Sequence, residues 1–192
     1  MKNIALIGLP GSGKTTVGRQ LARRLSERFV DSDQYIESVI GCPIREFFDR
    51  EGELAFRTIE SKAIDHLTMG SNRVISTGGG SVLSPINRQY LSTRCTCVYL
   101  RSTPEDLYRR LKHDRKRPLL QVADPLAALK QLYEVRDPLY REVADFVIDT
   151  GRPTVATLLN TILMQLEMAG LVDSPDVKRA PTAELKNSEV GE

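Results

Sequence analysis

Short apolar runs without polar alternation recur along the first 168 residues, separated by stretches with helical spacing. Asn3–Leu9 reads NIALIGL and stops at a Gly/Pro-rich turn, the pattern of a strand buried on both faces of a parallel sheet. Over Lys14–Arg28 the apolar residues Val17, Leu21 and Leu25 fall on one helical face. Phe29–Val30 predicts a second strand, ending in Asp31-Ser32-Asp33. Helical patterns follow over Asp33–Glu51 and Glu53–Met69, with breaks near Gly41-Cys42-Pro43 and at Gly52. Arg73–Thr77 predicts a third strand, closed by Gly78-Gly79-Gly80, and Thr96–Leu100 a fourth. Thr103 is placed to cap the next helix, with Pro104 at its first position and Asp106 three residues after the cap. His113–Val122 is basic with no apolar face, which predicts a mobile loop over a site. Asp124–Val143 reads as helix with a break near Asp137-Pro138, Phe146–Ile148 as a fifth strand, and Thr154–Ala169 as a closing amphipathic helix.

Strands alternating with helices imply a parallel sheet covered on both faces, an α/β domain with three α/β/α layers. It is expected to span 1–169. From Gly170 to 192 the pattern lapses into Ser, Pro, Asp, Lys and Glu, which predicts a disordered tail. No internal repeat is visible.

Composition narrows the function classes. Apolar residues make up 41% and charged residues 27% of 192, which suits a soluble domain with a sizeable core. A formal charge of +2 does not advertise nucleic acid or an anionic membrane as partner. No apolar run approaches the roughly 18 residues of a membrane span, and none resembles a signal segment. Cys42, Cys95 and Cys97 cannot all pair within the chain. Cys95 and Cys97 would share one face of a strand, so buried thiols in a reducing cytoplasm are expected. A monomer is expected.

Candidate chemistry starts at Gly8-Leu9-Pro10-Gly11-Ser12-Gly13-Lys14-Thr15, a GxxxxGK[ST] loop between an apolar strand and a helix. Its glycines let backbone N–H groups converge on phosphate oxygens, and the helix N-terminus adds partial positive charge. Lys14 would reach the β- and γ-phosphates and Thr15 would offer its hydroxyl to Mg²⁺, while Gly11, Ser12, Gly13 and Thr16 complete the nucleotide cradle. No guanine-recognition NKxD motif is present. Asp31 and Asp33 end the second strand, and carboxyl ends of strands face the ligand crevice in such sheets. One could hold Mg²⁺ through water while the other meets an acceptor hydroxyl; equally, Asp33 could serve as a helix cap. The Gly78–Gly80 run permits close ligand approach or a plain tight turn. Arg115, Lys116 and Arg117 could close over a nucleotide or simply be solvated.

Together these residues resemble shikimate kinase over nearly all of 2–168. The matching stretches are Gly8–Thr16, Phe29-Val30-Asp31-Ser32-Asp33 with Ile36 and Glu37, and Phe47-Phe48. Glu51-Gly52-Glu53, Phe56-Arg57, Glu60 and Thr77-Gly78-Gly79-Gly80 follow, then Arg117-Pro118-Leu119-Leu120 and Arg136 with Pro138-Leu139-Tyr140. The resemblance implies a P-loop NTPase fold with strand order 2-3-1-4-5, a substrate-binding region around 33–61 and a lid around 112–124. It implies ATP and Mg²⁺ as cofactors, with Thr15 and Asp31 at the metal, and shikimate as the small-molecule substrate. Shikimate would be bound by Asp33, Arg57, Gly78, Gly79, Gly80 and Arg136, the two arginines clamping its carboxylate as planar guanidinium forks can. Lys14, Asp33 and Arg117 would be catalytic, and Arg110 and the Arg152-Pro153 pair would flank adenine. The tail matches nothing in the family.

Overall fold

The computed structural model describes residues 2–112, 122–151 and 153–172. Five parallel strands form its sheet: β1 (Asn3–Ile7), β2 (Arg28–Asp31), β3 (Arg73–Ser76), β4 (Cys95–Arg101) and β5 (Phe146–Asp149), in the order β2-β3-β1-β4-β5. β1 lies at the centre, with Ile4 opposite Val74 on one side and Ala5 opposite Cys97 on the other. Every residue of β1 is buried, which is why its sequence carries no alternation. The helices among the described residues are α1 (Lys14–Leu25), α2 (Ser32–Ile40), α3 (Ile44–Met69), α4 (Pro85–Arg94), α5 (Pro104–Leu111), α6 (Pro125–Val143) and α7 (Val155–Met168).

Alternate side chains of the strands feed two cores. Ala5, Ile7, Ile75, Cys97 and Tyr99 pack with Ile64 and Leu67 of α3, Leu91 of α4, Leu107 of α5 and Leu129 and Tyr140 of α6. Ile4, Leu6, Val74, Val98 and Leu100 pack with Val17 and Leu21 of α1 and Leu158, Ile162 and Leu166 of α7 on the opposite face. These are the three predicted layers, and Cys95 and Cys97 do share one core. A third cluster joins Ile36 of α2 to Phe47, Phe56 and Ala63 of α3, making a separate lobe beside the sheet. α3 is bent at Gly52, whose φ of 82° and ψ of 173° are not helical.

Two local expectations need correction. α1 stops at Leu25 because Ser26 takes a left-handed φ of 58° and Glu27 N–H donates back to the Ala22 carbonyl at 2.8 Å, so Arg28 belongs to β2. α6 runs unbroken through Pro138. α4 had no signal, since Leu91 is its one buried large apolar side chain. Just past the boundary expected at Ala169, Leu171 and Val172 pack on the α1–α7 core. No helix among the described residues is long and apolar enough to cross a membrane.

Candidate active site

The loop between β1 and α1 is closed by its own backbone and by its lysine. Ser12 N–H donates to the Leu9 carbonyl at 3.1 Å, and Gly13, the residue before the helix, has φ 96°. A Cβ on Gly8 would lie 2.7 Å from the Leu100 carbonyl oxygen, so the loop can sit this close to β4 only with glycine there. Lys14 is buried, and its Nζ donates to the carbonyls of Gly8 at 2.8 Å and Leu9 at 2.9 Å. Its charge is thus held inside the curve of the loop.

Asp31 ends β2 and caps α2, accepting from the N–H groups of Asp33 at 3.1 Å and Gln34 at 3.4 Å. Its other oxygen receives the Thr15 hydroxyl at 2.8 Å, and Ser76 Oγ at the end of β3 lies 3.4 Å from the same hydroxyl. Since Asp31 does the capping, Asp33 is left to face the cleft. A Cβ on Gly78 would come within 2.6 Å of Asp33 Oδ1 and 3.1 Å of Glu60 Oε1. Burial, reinforced by Asp31 and more weakly by Glu60 and Glu37 and opposed by Lys14, pushes the Asp33 carboxyl up to about 6.

The Gly78–Gly80 turn is tied from three directions. Gly78 N–H donates to Ser32 Oγ at 2.8 Å; the Gly79 carbonyl accepts from Arg136 Nη1 at 3.0 Å and from the Tyr140 hydroxyl at 2.5 Å. A Cβ on Gly80 would collide with the Arg57 guanidinium. Arg57 donates to Glu60 Oε2 at 2.7 Å and, through Nε and Nη2, to Glu53 Oε1 at 3.2 and 3.0 Å. Glu60 is fully buried, and that burial raises its carboxyl pKa against the pull of Arg57 and Arg136. The phosphate loop, Asp31, Asp33 and Gly79 line one cleft of about 360 Å³.

Comparison with known proteins accounts for this arrangement. The shikimate kinase family model matches residues 10–167. The chain belongs to the shikimate kinase family. A shikimate kinase from Ralstonia nicotianae is 52% identical over 185 residues, covering 96% of this chain and 97% of the relative. One from Cupriavidus pinatubonensis is 56% identical over 168 residues, 88% of each chain. The structure of shikimate kinase from Acinetobacter baumannii in complex with shikimate superposes with a TM-score of 0.84 at 42% identity, covering 89% of this chain and 96% of that one. A gluconokinase from Sinorhizobium meliloti, at 17% identity and a TM-score of 0.55, shares the fold alone.

For a shikimate kinase, the predicted residues fall into three groups. Gly11, Gly13, Lys14, Thr15, Thr16, Asp31, Asp33 and Gly79 border the cleft, while Ser12 is buried within the loop. Arg57, Gly78, Gly80 and Arg136 do not line it but surround its glycine turn through the contacts above. Arg110 stands apart at the end of β5, donating to Thr150 Oγ1 and to the Gly151 carbonyl, both at 3.3 Å, with Pro153 two residues further on. Arg115, Lys116, Arg117 and most of the lid, Arg152, and the tail from 173 onward lie outside the described residues. The reading of Asp33 as a helix cap is overturned, since Asp31 holds that position. Pro10 of the GxxxxGK[ST] loop and Thr77 of the Thr77–Gly80 stretch also border the cleft, as do Ser76 and Leu111, which no motif in the sequence marked. Only the end position of the β3 run could have pointed to Ser76.

Proposed function

We propose that this protein transfers the γ-phosphoryl group of ATP to the 3-hydroxyl of shikimate, giving ADP and shikimate 3-phosphate. The observation that carries the reading is one cleft in which the phosphate loop faces Asp33 across the Gly78–Gly80 turn, in a chain of this family. Lys14 would neutralise charge on the β- and γ-phosphates. Asp33, its pKa raised by burial to about 6, would orient the attacking hydroxyl and take its proton. Arg57, backed by Glu60, and Arg136 would hold the carboxylate together with the glycine turn. Arg117 would supply charge from the lid, and Arg110 with Arg152 and Pro153 would flank adenine. Catalysis on these terms is positioning and charge neutralisation around in-line attack.

Mg²⁺ fits the donors present. Among the described residues no cluster of three or more His, Cys, Asp or Glu side chains could cage a metal. Mg²⁺ needs none: it typically uses one or two carboxylates with substrate phosphates and water, and Thr15, Asp31 and Ser76 offer hard oxygens together. When bound there it would neutralise negative charge on the phosphates. The same reading has the protein act as a cytoplasmic monomer on a small molecule, without nucleic acid or membrane partners; its three free thiols and balanced charge support this.

The test is ADP release by purified protein with ATP and Mg²⁺, comparing shikimate with gluconate and AMP. Release that depends on shikimate is expected, and release indifferent to it would refute the assignment.

A further inference from the structure

α6 brings Arg136 to the glycine turn, yet it carries a proline two residues later. Pro138 has no N–H to give the carbonyl of Glu134, so the helix lacks one backbone bond at the turn that presents Arg136. Two buried tyrosines span this weak point. Tyr99 of β4 donates its hydroxyl to Asp137 Oδ1 at 2.8 Å, and Tyr140 donates to the Gly79 carbonyl at 2.5 Å. Their rings pack 4.9 Å apart, and both side chains are fully buried. Burial raises the Tyr140 hydroxyl far above its ordinary pKa, against the pull of Arg136, so it remains a donor at any working pH.

Gly79 is where the two halves of the site meet. A Cβ there would lie 2.7 Å from Pro10 of the phosphate loop, while its carbonyl is held from the other side by Tyr140 and Arg136. The Gly79–Gly80 peptide is trans, so its N–H points opposite to its carbonyl. A carbonyl held towards α6 therefore turns the Gly80 N–H away from α6. Neither the Gly79 nor the Gly80 N–H has a partner among the described residues, which leaves both available to a ligand.

We propose that Tyr140 is a positioning residue for the acceptor: its hydroxyl fixes the Gly79–Gly80 peptide so that the turn's N–H groups and Arg136 meet the substrate carboxylate as one rigid unit. The proposal rests on the shikimate kinase reading above. Without that hydroxyl the Gly79 carbonyl would depend on Arg136 alone, drawing the guanidinium towards the backbone and loosening the peptide.

The test pairs Tyr140→Phe with Tyr99→Phe. Each removes one buried hydroxyl from the same aromatic pair and keeps the ring, but Tyr140 alone touches the glycine turn. Tyr140→Phe should raise the KM for shikimate about three- to tenfold, the range of one lost neutral hydrogen bond, with the KM for ATP unchanged and kcat within about threefold. Tyr99→Phe should lower Tm comparably yet leave the KM for shikimate within about twofold. The unchanged KM for ATP also certifies that the variant is folded. A shikimate KM in Tyr140→Phe equal to that of the parent would overturn the proposal. So would a rise in both KM values in step with lost stability in both variants, since that is what a purely structural role gives. Absence of shikimate-dependent turnover in the parent would instead sink the functional assignment, so the parent is assayed first.

Discussion

The Asp33 carboxylate packs against Gly78, where only the missing Cβ gives it room, with Asp31 and Glu60 near and Lys14 opposing them. An acid whose pKa is raised by folding, here to about 6, binds its proton more tightly in the native than in the unfolded chain. Stability therefore falls as pH rises from the ordinary carboxyl range through about 6, and the cost is fully present above it. Asp33→Asn keeps the size and cannot ionise. Without nucleotide or metal it should be more stable than the parent by about 1–3 kcal/mol at pH 8, with the gain shrinking towards pH 4. Turnover should fall by ~10²–10⁴-fold, the usual contribution of a positioned base, while nucleotide affinity survives. Thermal melts at both pH values and an ADP-release assay check this. An Asn variant that is less stable at pH 8 would show that the carboxylate is held favourably. The sequence left Asp33 open between cap and chemistry because both aspartates border the coming helix. What separates them is that β2 extends to Asp31, which places the cap there, and this depends on pairing with β3.

At the scale of elements, Asp31 has two duties that one substitution can separate. As the cap of α2 it accepts two N–H groups, and as the partner of Thr15 it lines the cleft. Asn ranks with Asp as a cap, so Asp31→Asn should leave Tm within about 2 °C, since the helix keeps its cap. It removes the charge proposed for Mg²⁺, so half-maximal activity should need about tenfold more Mg²⁺, consistent with the weight of one charged ligand. A magnesium titration of ADP release beside a thermal melt reads both, and an unchanged magnesium requirement would remove Asp31 from the metal site. Elements with strong local signals were legible in the sequence: β1 and β4 as continuous apolar runs, α5 through Thr103, which accepts from Asp106 N–H at 3.2 Å. α4 was not, because neighbours rather than an apolar stripe hold it; Asn87, buried, donates to the Ser81 carbonyl at 2.9 Å. The break expected at Pro138 failed for a related reason. A local rule for proline met long-range contacts on both sides of Pro138: Tyr99 of β4 donates to Asp137, and Tyr140 of α6 donates to the Gly79 carbonyl.

Across the whole molecule the same lesson applies to contacts and to the end of the domain. The phosphate loop is contiguous and was readable as such, but the clamp of Arg136 on Gly79 joins residues 57 apart and needs the fold to bring α6 against the turn that follows β3. At the other end, composition put the expected domain boundary at Ala169, and the chain just past it packs on the core. Gly170 adopts φ 67°, its N–H donates to the Glu167 carbonyl at 2.9 Å, and Leu171 N–H donates to the Leu166 carbonyl at 2.9 Å. This pair of bonds satisfies two carbonyls that the end of α7 would otherwise leave open, and the left-handed glycine then turns Leu171 and Val172 onto the α1–α7 core. A chain cut after Ala169 loses the cap and both side chains. Partial burial of two such residues, with the cap, is worth about 1–3 kcal/mol, so its Tm should fall by about 3–8 °C. A chain cut after Val172 keeps every one of these contacts, and the residues it loses are mostly Ser, Pro, Asp, Lys and Glu, too poor in apolar area to add a core. It should match the full chain in Tm and in turnover to within error. Melting curves for the two truncations and the full chain decide the matter. Equal Tm for all three would show that the α7 cap and the Leu171–Val172 packing carry no stability, and a lower Tm for the chain cut after Val172 than for the full chain would place a stabilising segment beyond Val172.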